Sequence, residues 1–206
     1  MKILHVSDVH GMSGLLRYAL ESLSAELGVD LIVISGDFEF YDESILSLPR
    51  VPVVAVTGNM DDQGVAVMLD RAGVRLDGKV TNIRGVTICG IGGLSTTKDA
   101  VAVLSSASGK GVDILVSHYP PKGTAVDLSY RGVHIGKEII RDVILEVKPR
   151  LCLCGHVHES RGIDRVGSTL VVNPGPLSRG YYALVDLNSL TVFLDEVRLI
   201  GRATRS

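Results

Sequence analysis

Seven residues of this chain carry atoms suited to holding a metal ion: Asp8, His10, Asp37, Asn59, His118, His156 and His158. They offer carboxylate, amide and imidazole donors and no thiolate. Such a set suits Mn, Fe, Zn or another first-row divalent ion better than a structural zinc site. A lone aspartate in a turn is as readily a helix cap, and a lone histidine there is more often a hydrogen-bonded structural residue. Two aspartates, an asparagine and four of the chain's six histidines at matching positions are harder to account for in that way.

The matching positions are strand ends. Leu31–Ser35 is an apolar, β-favouring run closed by Gly36, the pattern of a strand buried on both faces of a parallel sheet. Ligands in open α/β sheets collect just beyond the carboxyl ends of strands, where Asp37 stands. Lys2–Ser7 leads in the same way to Asp8, Val51–Val56 to Gly58-Asn59, Val112–Ser117 to His118, and Leu151–Cys154 to Gly155-His156.

Helical patterns lie between these strands. Ser13–Leu27 has an apolar stripe closed by Gly28, and Lys137–Val147 has another. Shorter helices are expected over Asp42–Leu48, over Gly64–Ala72 with Asp61 or Asp62 as cap, and around Lys98–Ser106. Lys79–Ile83 and Val86–Cys89 read as paired strands, and Gly90–Gly93 and Lys122–Ile135 as loops. Beyond residue 160 the strands Arg161–Val166, Thr169–Val172, Tyr181–Asp186 and Thr191–Val197 come without helices, as an antiparallel meander. The expected fold is α/β: two stacked mixed β-sheets flanked by helices, a four-layer α/β/β/α sandwich with C-terminal antiparallel strands, in one domain over residues 1–206.

Composition narrows the function classes. The 206 residues carry 21 Lys and Arg against 23 Asp and Glu, with 46% hydrophobic residues and no Trp. That balance argues against a nucleic-acid surface, and no apolar run reaches the length of a membrane span. The N-terminus enters a strand without a signal-peptide layout. Cys89, Cys152 and Cys154 sit in apolar runs, and Cys152-Leu153-Cys154 is too tight for ordinary disulfide geometry. A reducing cytoplasm fits these features.

Asp8-x-His10, Gly36-Asp37, Gly58-Asn59, His118 and Gly155-His156-x-His158, in this order, resemble the calcineurin-like metallophosphoesterase family. The resemblance runs from residue 8 to Val172-Asn173-Pro174-Gly175 and is nearest to small prokaryotic members without a cap domain. It implies two divalent metal ions, Mn foremost, with Fe, Zn, Ni or Co as alternatives. Asp8, His10 and His158 would hold the first, Asn59, His118 and His156 the second, and Asp37 would bridge them. The implied activity is phosphoester hydrolysis, with a phosphodiester favoured, by a hydroxide bridging the metals. The expected partner is a small phosphate-ester substrate, with no membrane, nucleic acid disfavoured, and a homo-oligomer left open. A scaffold like the retromer subunit, or a nuclease, is the alternative use of the fold.

One position departs from the pattern. Many members read Gly-Asn-His-Asp or Gly-Asn-His-Glu, where the histidine is thought to protonate the leaving oxygen; here Met60 stands instead. General acid catalysis is worth about 10²–10⁴-fold, so Met60 favours leaving groups of low pKa. His134, in the long loop, is the remaining candidate acid. Met60 and Arg131, with Asn59, are expected to line the substrate pocket, and Tyr130 and Lys122 lie on the same loop. Gly92–Lys98 and Ser108-Gly109-Lys110-Gly111 lack the Gly-Lys-Ser/Thr ending of a nucleotide-binding loop.

Overall fold

In the computed structural model, which describes residues 1–107 and 109–197, the first three predicted strands lie side by side. Strands β1 (Lys2–Val6), β2 (Leu31–Ile34) and β3 (Val53–Ala55) run parallel, with Ile3 opposite Leu31 and Ile32 opposite Val53. Strand β10 (Tyr181–Asp186) joins β1 antiparallel, and β11 (Thr191–Glu196) closes that sheet in the order β11-β10-β1-β2-β3. The second sheet has the order β4-β5-β6-β7-β9-β8. Its members are β4 (Val80–Ile83), β5 (Val86–Ile91), β6 (Ile114–Ser117), β7 (Leu151–Leu153), β8 (Gly162–Val166) and β9 (Thr169–Asn173).

Alternation along the strands builds the layers, because successive side chains of a strand point to opposite faces. Ile3, Leu31, Val33 and Val54 face inward and meet Ile88, Ile114, Val116 and Leu151 of the other sheet. Leu4, Val6, Ile32 and Ile34 face outward and are covered by Leu15, Leu16, Leu20 and Leu69. These come from a helix that runs as α1 (Ser13–Tyr18), a π turn (Ala19–Leu23) and α2 (Ser24–Leu27), and from α3 (Gln63–Arg71). Gly28 ends the first helix in the left-handed conformation, at φ 59°. On the far side Leu115 and Val171 pack under α4 (Thr96–Ala107) and α5 (Glu138–Val147). All three cysteines are buried and unpaired in that outer core. Each fully buried aliphatic contributes about 1.5–3 kcal/mol. Among the described residues no helix is long and apolar enough to cross a membrane.

The four-layer arrangement agrees with the sequence reading, and two details differ. The closing strands form two hairpins rather than one meander: β8 and β9 extend the second sheet, and β10 and β11 the first. Gly90 and Ile91, expected in a loop, continue β5. Residues 198–206, included in the expected single domain, lie outside the described residues, as does Ser108.

The turns after β3 and β5 are each braced by a buried carboxylate. Asp77 accepts from the Thr57 N–H at 2.9 Å, the Thr57 hydroxyl at 2.8 Å and Arg75 Nε at 3.0 Å. Asp99 accepts from the Gly92 N–H at 3.0 Å, and burial pushes its pKa from 3.8 up to about 6. A carboxyl raised by folding destabilises the fold when ionised; the cost is absent below the unfolded value and grows as pH rises towards 6. Asp99→Asn keeps the accepting oxygen without the charge. It is expected to raise the melting temperature at pH 7.5 and to have no such effect at pH 4, measured by thermal unfolding at both pH values.

Candidate metal centre

The backbone at these strand ends is unusual. Asp8, His10, Asp37, Glu39 and His156 all adopt left-handed φ, between 47° and 69°. That region is costly for residues with a Cβ, and such strain collects at functional sites when the surroundings over-determine it. Here the loop after β1 is laced to the loop after β2. Asp8 N–H donates to Gly36 O at 3.0 Å, His10 N–H to Asp37 O at 2.8 Å, and Gly11 N–H to Phe38 O at 2.9 Å. The His156 N–H donates to the Asp8 carboxylate at 3.1 Å, joining the end of β7 to that of β1 across the two sheets.

Asp61 completes the clamp. Its Oδ2 accepts from Asp37 N–H at 3.0 Å and Gly58 N–H at 2.7 Å, and its Oδ1 from Phe38 N–H at 2.7 Å and Glu39 N–H at 3.1 Å. It is therefore no helix cap: Asp62 caps α3 by accepting from the Val65 N–H at 3.1 Å. The strand ends also approach too closely for side chains. A Cβ on Gly36 would lie 2.7 Å from Gly58 Cα, and one on Gly58 or Gly155 would collide with Asp37 or Ser7 respectively.

The donor atoms converge inside this frame. Asp8 is 1% exposed, Asp37 2% and His118 0%. His10 Nδ1 bonds Glu39 Oε1 at 2.7 Å, which directs its Nε2 to His158 Nε2 at 3.1 Å. His158 Nε2 lies 3.3 Å from Asp8 Oδ1. His118 Nδ1 lies 2.8 Å from Ser35 O, a group that only accepts, so Nδ1 carries a proton and Nε2 is the atom turned to the cluster. That nitrogen lies within hydrogen-bond distance of Asn59 Oδ1, at 2.8 Å, and 3.6 Å from Asp37 Oδ1. Asp37 Oδ2 lies 4.0 Å from His10 Nε2, so the carboxylate spans the two halves. Two groups satisfy mutual donor separations within 4.8 Å: Asp8, His10 and His158; and Asp8, Asp37 and His118.

Electrostatics divides the donors, freeing Asp8 and His156 of protons and favouring them on His158 and Asp37. Burial pushes Asp8 up, but the His158 hydrogen bond and the nearby His118 outweigh it and hold the carboxyl at about 2. Burial, reinforced by His118, holds His156 down to about 4, and the Asp8 hydrogen bond raises His158. Burial also raises Asp37.

The remaining predicted residues stand at varying remove. The His156 ring packs edge-on to His118, with centroids 5.1 Å apart, and to Tyr119 at 4.5 Å. Met60 donates its N–H to Asp37 Oδ1 at 2.9 Å while its side chain is 60% exposed. His134 Nδ1 is bound to Asp127 Oδ1 at 2.6 Å, and no hydrogen bond among the described residues joins His134 or Arg131 to the cluster. Their hairpin nevertheless sits beside His158, since Tyr130 N–H donates to Glu159 Oε1 at 2.9 Å and the Ser160 hydroxyl to Leu128 O. Lys122 is paired with Glu138 at 3.1 Å.

Four contributors escaped the sequence reading: Glu39 behind His10, Asp61 beneath both loops, Tyr119 against His156, and exposed Arg179, whose charge acts on His158. Position two after Asp37 and two after Asn59 was the available signal for the first two. Asp61→Ala would strand four backbone N–H groups, and each unsatisfied buried group costs about 1–3 kcal/mol before relaxation. Urea unfolding is expected to show a loss of at least about 2 kcal/mol, with Asp62→Ala, a cap at the surface, losing less.

The family model for the calcineurin-like phosphoesterase superfamily domain matches residues 1–189. The chain is 31% identical over 221 residues to an uncharacterized protein, MJ1162, of Methanocaldococcus jannaschii, covering 95% of this chain and 96% of that one. The structure of TT1561 from Thermus thermophilus superposes with a TM-score of 0.73 at 20% identity, covering 96% of this chain and 99% of that one. A structure described as a novel archaeal phosphodiesterase has a TM-score of 0.61 at 16% identity, with 96% and 100% covered. A dimetal phosphatase from Danio rerio has a TM-score of 0.62 at 12% identity, with 89% and 91% covered. At these identities the structural matches speak for the fold.

Proposed function

The chain belongs to the calcineurin-like phosphoesterase superfamily, and from that premise we propose that it is a phosphodiesterase working with two divalent metal ions. One observation carries the proposal: the donor atoms of Asp8, His10 and His158, and those of Asp8, Asp37 and His118, lie within 4.8 Å of one another, the second group wholly buried. Buried carboxylates set among imidazole nitrogens in so small a space are a donor set that fits divalent metal ions. Asp8, His10 and His158 would hold one ion, Asn59, His118 and His156 the other, and Asp37 both. Bound there, the ions would offset charge on the phosphate oxygens and acidify water. Mn is the first choice among the divalent ions for this oxygen and imidazole set.

The chain's own residues supply the positioning. Glu39 and Ser35 O hold two imidazoles by their Nδ1 atoms, the partner arrangement that fixes ring orientation and raises donor basicity. Asp61 keeps Asp37 and Asn59 on adjoining loops. Asn59, Met60 and Arg131 are the residues proposed to meet substrate. The Met60 side chain can bring no proton, which favours an ester with a good leaving group over an alkyl ester. The preferred substrate is therefore a diester with an acidic leaving alcohol.

Mn-loaded protein is expected to hydrolyse bis-p-nitrophenyl phosphate. Asp37→Asn should lower both bound metal and turnover, by on the order of 100-fold or more, whereas His10→Ala should empty chiefly one site. Absence of turnover with every divalent ion, on diester and monoester alike, would overturn the enzyme reading. His134→Ala separates a further point: if His134 supplies the proton, the rate on an alkyl ester falls far more than on the aryl ester. Equal retention of both rates removes it from the mechanism and leaves it as the Asp127 partner.

A further inference from the structure

A cavity of about 400 Å³ opens next to the Asn59 and His118 half of the centre. It shares walls with that half. Gly93 lies on the backbone of Gly58 and Asn59, its N–H donating to Thr57 O at 2.6 Å. Across the cavity Tyr119 packs on His118 and His156, with ring centroids 5.2 and 4.5 Å apart. Lys137 Nζ stands 4.5 Å above the Tyr119 ring. Lys98 and the hydroxyl residues Ser95 and Thr97 join the lining with the apolar Leu94 and Ile139 and with Thr96, whose hydroxyl donates to Gly92 O at 2.9 Å.

Neither ammonium group has a carboxylate partner among the described residues, and that of Lys137 rests on the Tyr119 ring. Lys79 and Lys122 have carboxylate partners, Asp70 and Glu138, at 3.1 Å each. No ion pair or hydrogen bond among the described residues takes up the charge of Lys98 or Lys137. Asp99, next to Lys98, is buried and turned to the Gly92 N–H; Glu138, next to Lys137, is held by Lys122. The Lys137 main chain is held, its N–H donating to Pro120 O at 2.9 Å. Two cations without a carboxylate partner and two hydroxyls around one cavity suit an anion with several acceptor oxygens.

We propose that this cavity is a subsite for a second phosphate group, so that the substrate is a phosphodiester whose far portion carries its own phosphate. This rests on the phosphodiesterase reading for the word substrate, while anion binding in the cavity does not. The Tyr119 ring beneath the Lys137 ammonium would keep that charge beside the cavity, and the approach from Asn59 would let one molecule reach both sites.

The test uses the full chain in two states. Metal-stripped protein at about 0.15 M ionic strength is titrated calorimetrically with inorganic pyrophosphate. Binding should be weakened at least about tenfold in Lys98→Met/Lys137→Met, the loss expected for charge-assisted bonds, and retained in Asp37→Asn. Mn-loaded protein is then compared on the 5′-(p-nitrophenyl phosphate) esters of thymidine with and without a 3′-phosphate. Wild type should favour the phosphorylated ester in kcat/KM, and the double variant should lose that preference. Failure of metal-stripped wild type to bind pyrophosphate, equal binding by the double variant, or loss of binding in Asp37→Asn would each overturn the subsite. Lysine-dependent binding in a protein with no turnover would support the subsite and sink the phosphodiesterase reading instead.

Discussion

The centre depends on crowding at the strand ends. A Cβ on Gly36 would press on Gly58, and a Cβ on Gly58 would strike Asp37, so the loops after β2 and β3 touch backbone to backbone. Gly36 also sits at φ 102°, which a residue with a Cβ reaches only under strain. Such contact leaves backbone N–H groups with no water to turn to, and Asp61 accepts four of them. The bent conformations of Asp8, His10, Asp37, Glu39 and His156 are tolerable only inside that clamp. Five left-handed residues at about 1–3 kcal/mol each amount to sizeable local strain, held in place by hydrogen bonds between loops.

That frame explains which parts were legible in the sequence. A buried parallel strand ending in Gly is a local pattern, and the next residue must lie at the sheet's edge. Asp8, Asp37, Asn59, His118 and His156 could therefore be grouped before any contact was known. The layers were legible for the same reason, because alternation along β1 and β2 divides Ile3 and Leu31 from Leu4 and Ile32. Asp61 was not, since a carboxylate before a helix reads as a cap, and the choice between Asp61 and Asp62 turns on where a loop from another strand passes. The two C-terminal hairpins were misjoined as a meander because pairing across Asn173–Tyr181 is decided by which sheet has an open edge. Local propensity carries no record of that.

The donors divide by burial, and the division has chemical sense. Asp8 and Asp37 are almost wholly buried, where a carboxylate without a cation costs most. His10 and His158 are partly exposed, with side-chain exposures of 24% and 30%, and open towards solvent and any entering ester. His118, fully buried, is locked by Ser35 O, so its ring cannot turn to another task. Rigid acceptors below and accessible ones above make a site that would hold cations from its floor and present them at its mouth.

Met60 and the lysine-lined cavity bear on the same energetic question. Without an acid to protonate the leaving oxygen, about 10²–10⁴-fold in rate must come from elsewhere, or the leaving group must need no proton. Binding energy from a remote part of a substrate can be directed to orientation at the reacting centre, where effective concentrations are large. A phosphate gripped by Lys98 and Lys137 would supply such energy at the Asn59 side, next to the position Met60 occupies. Equal grip on ground and transition states would lower KM alone. The grip raises kcat only if it holds the ester in line with the centre, to which the cavity is joined where Gly93 packs on the backbone of Gly58 and Asn59. On the proposed subsite, a chain with a methionine in the acid's place would compensate through position rather than proton transfer.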